Sequence, residues 1–173
     1  MNTELQKLID SLEVQRIQLL KSLSHLPAEK LNKQVAKRWS VNQVLAHLIT
    51  AERLSVAYLT KKIQAINEVD DTGLIEELKI IGLIISQRLP LKFKAPKVVV
   101  ENTPKEQDIA QLEKEWINVR ADLKQLLEKI NDDQIKRGIY KHVRAGKLNI
   151  QHALIFFREH IIHHRPQINK LIS

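Results

Sequence analysis

"NIQHALIFFREHIIHHRPQINKLI", residues 149 to 172, decides how this chain is read. Ile150, Ala153, Phe157, Ile161, Ile168 and Leu171 recur at helical spacing and mark one apolar stripe. Asn149 is an acceptable N-cap after the turn-forming Gly146, so the spacing predicts a long helix beginning near Asn149. Continuing the stripe brings in His160 and His164, which should face a core. They lie four apart, so their rings sit one turn apart on the same face, as when one helix offers two imidazoles to one metal ion. His163 is rotated by about 100° from His164 and falls on the flank of the stripe.

Working outward, the same helical period appears three more times. "WSVNQVLAHLITAERLSVAYLTKKIQAI" opens with Ser40 as N-cap and Gln43 three residues on, a capping box, with Trp39 and Val44 in the positions of a hydrophobic staple. "TPKEQDIAQLEKEWINVRADLKQLLEKI" repeats the device, with Thr103 as the expected N-cap, Pro104 at the first helical position and Glu106 closing the box. A first helix over about residues 2 to 24 carries Leu5, Leu8, Ile9, Leu12, Ile17, Leu19, Leu20 and Leu23 and stops before Pro27. Four helices of about 20 to 28 residues are long for a globular protein and are expected to form an all-α four-helix bundle. Between Asp70 and Asn102, prolines 90 and 96 forbid a continuous helix, and Pro104 follows closely. The expectation is a short helix followed by an extended central crossover, within a single domain spanning residues 1 to 173.

Composition excludes several function classes. The 173 residues contain no cysteine, which removes disulfides, thiolate zinc sites and a cysteine nucleophile, and leaves histidine and carboxylate as the strong ligands. The formal charge of +8 raises the question of nucleic acid or an anionic membrane. Its distribution argues against both, because the 28 basic residues are scattered among 20 acidic ones and clusters such as Lys61-Lys62 are not interleaved with stacking aromatics. Only 4 glycines and 4% aromatic residues favour helices over a β-sandwich. The charged, amphipathic start "MNTELQKLIDSLEVQ" is unlike a signal peptide, and no run approaches the roughly 20 apolar residues of a membrane span. A soluble, cytoplasmic protein is expected.

His47 supplies the third imidazole. It shares a helix face with Val44, Ala51, Leu54 and Tyr58, about two turns below the capped start, and so also points inward. Three inward histidines on two helices can converge on one divalent transition metal, and three protein nitrogens leave a position open for water or substrate. Such a metal would activate bound water or a bound thiolate. The competing reading is that each is a core histidine with one satisfied hydrogen bond. Against it stands the cost of burying three neutral imidazoles without partners, which a metal would offset. His25 before a turn, His142 in a polar loop and His152 in the first turn of the last helix are expected to be exposed or capping. Glu52 and Arg53 are expected to point outward, and neither Glu159 nor His163 is favoured as a general base.

The pairing of "WSVNQVLAHLITAER" with "YKHVRAGKLNIQHALIFFREHIIHHRPQINKLI" resembles the DinB superfamily, metal-dependent four-helix proteins that include bacillithiol S-transferases and mycothiol-dependent isomerases. A Trp-Ser start precedes a helix with one inward histidine. The last helix follows a glycine-bearing turn and carries a histidine pair four apart with a Gln-Ile ending. The resemblance covers nearly the whole chain. It implies an up-down-down-up bundle with a long central crossover and a metal, commonly nickel or zinc, on His47, His160 and His164. It further implies a small-molecule substrate, use of a low-molecular-weight thiol, and pairing into a homodimer. Pro166 departs from the pattern, standing where small residues are familiar, and is expected to disturb the hydrogen bond to carbonyl 162 and kink the helix past the histidines. The leading expectation is a metal-dependent enzyme with transferase-like or hydrolase-like chemistry. The alternative is a non-catalytic metal-binding or oligomerisation module, and DNA binding ranks last for want of a recognition-helix motif.

Overall fold

The computed structural model describes residues 1–34, 38–89 and 93–173. Helix α1 (Thr3–Leu23) begins where the Asn2 side chain accepts the Glu4 N–H at 2.8 Å. A one-turn α2 (Ala28–Asn32) leads to α3 (Val41–Lys62), whose Ser40–Gln43 capping box forms in both directions, with bonds of 3.2 and 2.9 Å. A 3₁₀ segment (Ile63–Glu68) continues it. Then come α4 (Leu74–Arg88), α5 (Lys97–Asn102) and α6 (Ile109–Leu127). A two-stranded hairpin, β1 (Tyr140–His142) against β2 (Gly146–Leu148), precedes α7 (Ile150–Ile172). Gly146 takes φ +73°, the left-handed geometry that suits glycine at the end of this turn.

The fold is all-α apart from that hairpin, and α1, α3, α6 and α7 form its bundle. Helix α3 packs on both α6 and α7, and α1 closes the ring against the same two. Leu5, Leu12, Leu45, Leu112, Trp116, Leu123 and Phe157 are among the fully buried side chains at its centre. Burial of such apolar surface is the main drive for assembly. The stretch joining α3 to α6 is the expected crossover, and α4 within it packs along α7.

Four expectations need correction here. The segment after Asp70 is not a short helix: α4 runs for 15 residues. Pro90 lies outside the described residues. The start of α6 falls at Asp108, whose carboxylate accepts the Gln111 N–H at 2.8 Å, and not at Thr103. Thr103 instead ends α5, its hydroxyl donating to the Val99 carbonyl at 2.7 Å, so that oxygen is not capping a new helix. Ile17 is 53% exposed and not part of the core. Glu52 does not point outward. It is buried between α3 and α6, accepting the Trp116 indole N–H at 3.0 Å and Arg120 at 2.8 Å, whereas Arg53 stays exposed near Glu115. A buried carboxylate requires such partners.

Helix α7 begins as its sequence indicates, with Asn149 accepting the His152 N–H at 2.9 Å, and continues through Pro166 to Ile172. Its stripe residues Ile150, Ala153, Phe157, Ile161 and Ile168 are buried. No helix among the described residues is long and apolar enough to cross a membrane.

Candidate metal centre

The capped start of α3 fixes where its inward face lies, and His47 falls on that face opposite α7. There the Nε2 atom of His160 stands 3.3 Å from Nε2 of His47 and 3.2 Å from Nε2 of His164. The three candidate donor nitrogens all lie within 4.8 Å of one another. Two nitrogens bound tetrahedrally to one zinc at about 2.0–2.1 Å stand about 3.3–3.4 Å apart, so the two distances from His160 suit a common metal ion. Among the described residues no carboxylate or fourth imidazole joins the group.

The rings are held by neighbours. Phe156 stacks on His160 with centroids 5.3 Å apart and an interplanar angle of 16°, and Trp39 lies against His47 at 5.1 Å. The Nδ1–H of His164 donates to Gln167 Oε1 at 2.9 Å, which leaves its Nε2 with a free lone pair facing the cluster. The buried Nδ1 of His47 has no hydrogen-bond partner among the described residues. Burial, reinforced by the nearby His164 and His163, pushes the His47 imidazole down to about 4. Burial also lowers His164 to about 4, although its bond to Gln167 works the other way. His160 is lowered well below the ordinary value, again mainly by burial. The cluster is therefore three neutral imidazoles at neutral pH, the form that ligates metal.

The cluster opens onto a cavity of about 560 Å³, walled by α3, the residues around α5, the β1 turn and α7. Ala51, Leu54 and Tyr58, which share the His47 face, are only half-buried because that face lines the cavity beyond the histidine. His163, expected on the flank, also borders it; its Nδ1–H donates to the Gln87 carbonyl at 2.7 Å, and Phe93 stacks on the ring at 5.8 Å. Glu159 faces away from the cluster. Burial alone would raise its carboxyl, but bidentate bonding by Arg88 and further bonds from Arg158 hold it below the usual range.

Two of the other histidines are not where the sequence suggests. His25 is exposed as expected. His152 is 2% exposed, with Nε2 3.0 Å from Glu77 Oε1, and takes no part in the cluster. His142 is 7% exposed and borders the cavity, its ring edge-on to Phe156 at 4.4 Å. Tyr140, two residues earlier on β1 and so on the same strand face, reaches Ser55 with its hydroxyl at 3.2 Å, and burial pushes that phenol up to about 12. Sequence reasoning missed both cavity groups. The available signal was the period-2 spacing of Tyr140 and His142 just before a glycine turn, which three residues of strand carry only faintly.

No curated protein and no solved structure matches the chain. The family model of the DinB superfamily matches residues 11–168, nearly the whole chain. On that match the chain belongs to the DinB superfamily, and its three-histidine group could hold a metal ion.

Proposed function

We propose that this protein is a metal-dependent enzyme in which His47, His160 and His164 hold a divalent transition metal, nickel or zinc, beside a small-molecule cavity. One observation carries the reading: three neutral Nε2 atoms meet at the floor of an open cavity with no fourth protein ligand among the described residues. A closed structural site would fill all four positions; an open one leaves room for a reactant. A metal held there would supply Lewis-acid activation of a thiol or a water as nucleophile.

The chain's own groups have separable tasks. Gln167 fixes the tautomer of His164. Tyr140 stays protonated at any physiological pH and offers its O–H to a substrate oxygen or, through Ser55, to a neighbour. Leu54, Val99 and Phe156 exclude water from one side of the cavity. Thiol-dependent S-transfer and hydrolysis both fit this arrangement, with a low-molecular-weight thiol as the co-substrate in the first case. The partner is a small molecule in a cytoplasmic setting, with no nucleic acid and no membrane.

Metal analysis of protein purified without a histidine tag tests the reading. About one equivalent of nickel or zinc is expected, and its loss on His160→Ala with helicity retained; a metal-free protein that binds none on titration would sink the proposal. Assays with bacillithiol, mycothiol, glutathione and coenzyme A against a generic electrophile would then separate S-transfer from hydrolysis.

A second reading, an oligomerisation module, is favoured by α4. Its inner side buries Ile80 and Leu83 against the bundle, while Leu74, Leu78, Ile81 and Ile85 are 84, 68, 50 and 55% exposed on the other side. The 4-3-4 spacing of these four matches the seam along which two identical helices pack, so the occupant proposed is α4 of a second copy. Sedimentation equilibrium should show a homodimer that Leu78→Asp converts to monomer; a wild-type monomer at high concentration would dismiss it.

A further inference from the structure

We propose that the cavity selects small molecules bearing an anionic oxygen group, and that His142 is the neutral N–H donor that holds that group. This rests on the cavity beside the three histidines being the substrate site, as argued above.

The tautomer of His142 is fixed by the backbone. The N–H groups of Arg144 and Ala145 approach its Nδ1 at 3.3 and 3.2 Å. Both are donors, so Nδ1 must present a lone pair and the ring proton must sit on Nε2. Phe156 holds the ring edge-on at 4.4 Å, and the residue is 7% exposed, so it cannot turn over without losing both backbone bonds. Among the described residues Nε2 has no hydrogen-bond partner, and the residue borders the cavity. That N–H is therefore free to donate to an acceptor held in the cavity.

The charge of the lining says what that acceptor is. Lys94, Lys141 and Arg144 border the cavity, and no Asp or Glu does among the described residues. The Arg144 guanidinium lies 4.0 Å from the centre of the Phe93 ring, and Phe93 in turn stacks on His163, so one wall is a layered stack topped by a cation. A cationic ligand would find no counter-charge here and would meet three positive groups. A neutral ligand would leave those groups idle. A carboxylate or phosphate on an otherwise apolar molecule satisfies the His142 donor and the cations, while its apolar part meets apolar lining such as Leu54 and Val99.

The test uses the full chain, both zinc-loaded and chelator-treated, with three probes of similar shape: 4-phenylbutyrate, 4-phenylbutyramide and phenyl phosphate. Calorimetry should show at least one of the two anions binding about tenfold or more tightly than the amide, in both forms of the protein. The tighter of the two identifies the oxygen group. His142→Phe keeps the ring packing and should weaken the anion about tenfold with little effect on the amide. Arg144→Gln, which leaves the backbone donors intact, should act in the same direction, so an unfolded His142 variant would not end the test. Direct ¹⁵N spectra should place the His142 proton on Nε2. Equal affinity for amide and anions, no binding of either anion, or a proton on Nδ1 would overturn the inference. A preference seen only with zinc would put the anion on the metal and overturn the role of His142 while sparing the metal centre. An anion preference in a chain that binds no zinc would sink the metal centre and leave this inference standing.

Discussion

Acidifying the metal-free protein from pH 7 to pH 5 should destabilise it through its buried histidines. His47 and His142 are 4% and 7% exposed, and burial depresses each from the ordinary value to about 4. The fold accommodates the neutral ring, so the unfolded chain binds the proton first. Each ring's contribution is whole above about pH 6.5 and is lost as pH falls from there toward 4. At pH 5 the loss is about 2 kcal/mol for each ring, or about 4 for the pair, from the difference between pKa values of about 6.5 and 4. His160 and His164 act in the same direction. For a chain of this size about 4 kcal/mol corresponds to a fall in Tm of about 8–16 °C. Glu52 works in the opposite sense, because burial raises its carboxyl and acid relieves that cost. The decisive measurement is therefore a comparison of chelator-treated wild type with a His47→Phe/His142→Phe variant by thermal circular dichroism at both pH values. The variant should lose markedly less than the wild type. Equal losses would show that the two rings are not held neutral by burial, and the picture of a pre-formed neutral cluster would fail.

Excess zinc at about 100 times its Kd should stabilise the wild type by about 2.7 kcal/mol at pH 7, read as a rise in Tm, and His160→Ala or His164→Ala should show no comparable rise. Gln167→Leu removes the acceptor of the His164 Nδ1–H and should weaken zinc about 10- to 100-fold while leaving the metal-free Tm nearly unchanged; unchanged affinity would dismiss Gln167 as an orienting group. Glu52→Ala strands Arg120, 4% exposed, without its close carboxylate and should cost about 3–5 kcal/mol in urea unfolding, with a change in Trp116 fluorescence. A loss below about 1 kcal/mol would mean that water replaces the carboxylate there.

What was legible in the sequence was what depends on neighbours in the chain. The Ser40 box is a local arrangement of four residues, and it formed as written. The inward placement of His47, His160 and His164 follows from period alone, and the structure brings the three together. Local rules fail at the start of α6, where the Thr103–Glu106 pattern reads as a cap but Asp108 caps the helix and the Thr103 hydroxyl is engaged by the Val99 carbonyl. They also fail where a side chain answers to a distant partner. Glu52 reads as an exposed acid until Trp116 and Arg120 of α6 are beside it, and His142 reads as a loop residue until the hairpin folds it against Phe156. The apolar run after Gly73 reads as short because its residues supply two opposite faces, which no single stripe reveals.

His47 and His160 are separated by 113 positions, and the whole of the crossover, α6 and the hairpin lies between them. During synthesis α3 is complete long before the ribosome reaches α7, so a metal can meet only one of its imidazoles until the last bundle helix docks. If the proposed metal binds, three-histidine loading would report that the bundle has closed, and the ion would act as a clasp on a very long loop. A partly made or C-terminally clipped chain would hold its fold signals in α1, α3 and α6 yet lack two of the three imidazoles, so the proposed centre could exist only in a chain that includes α7.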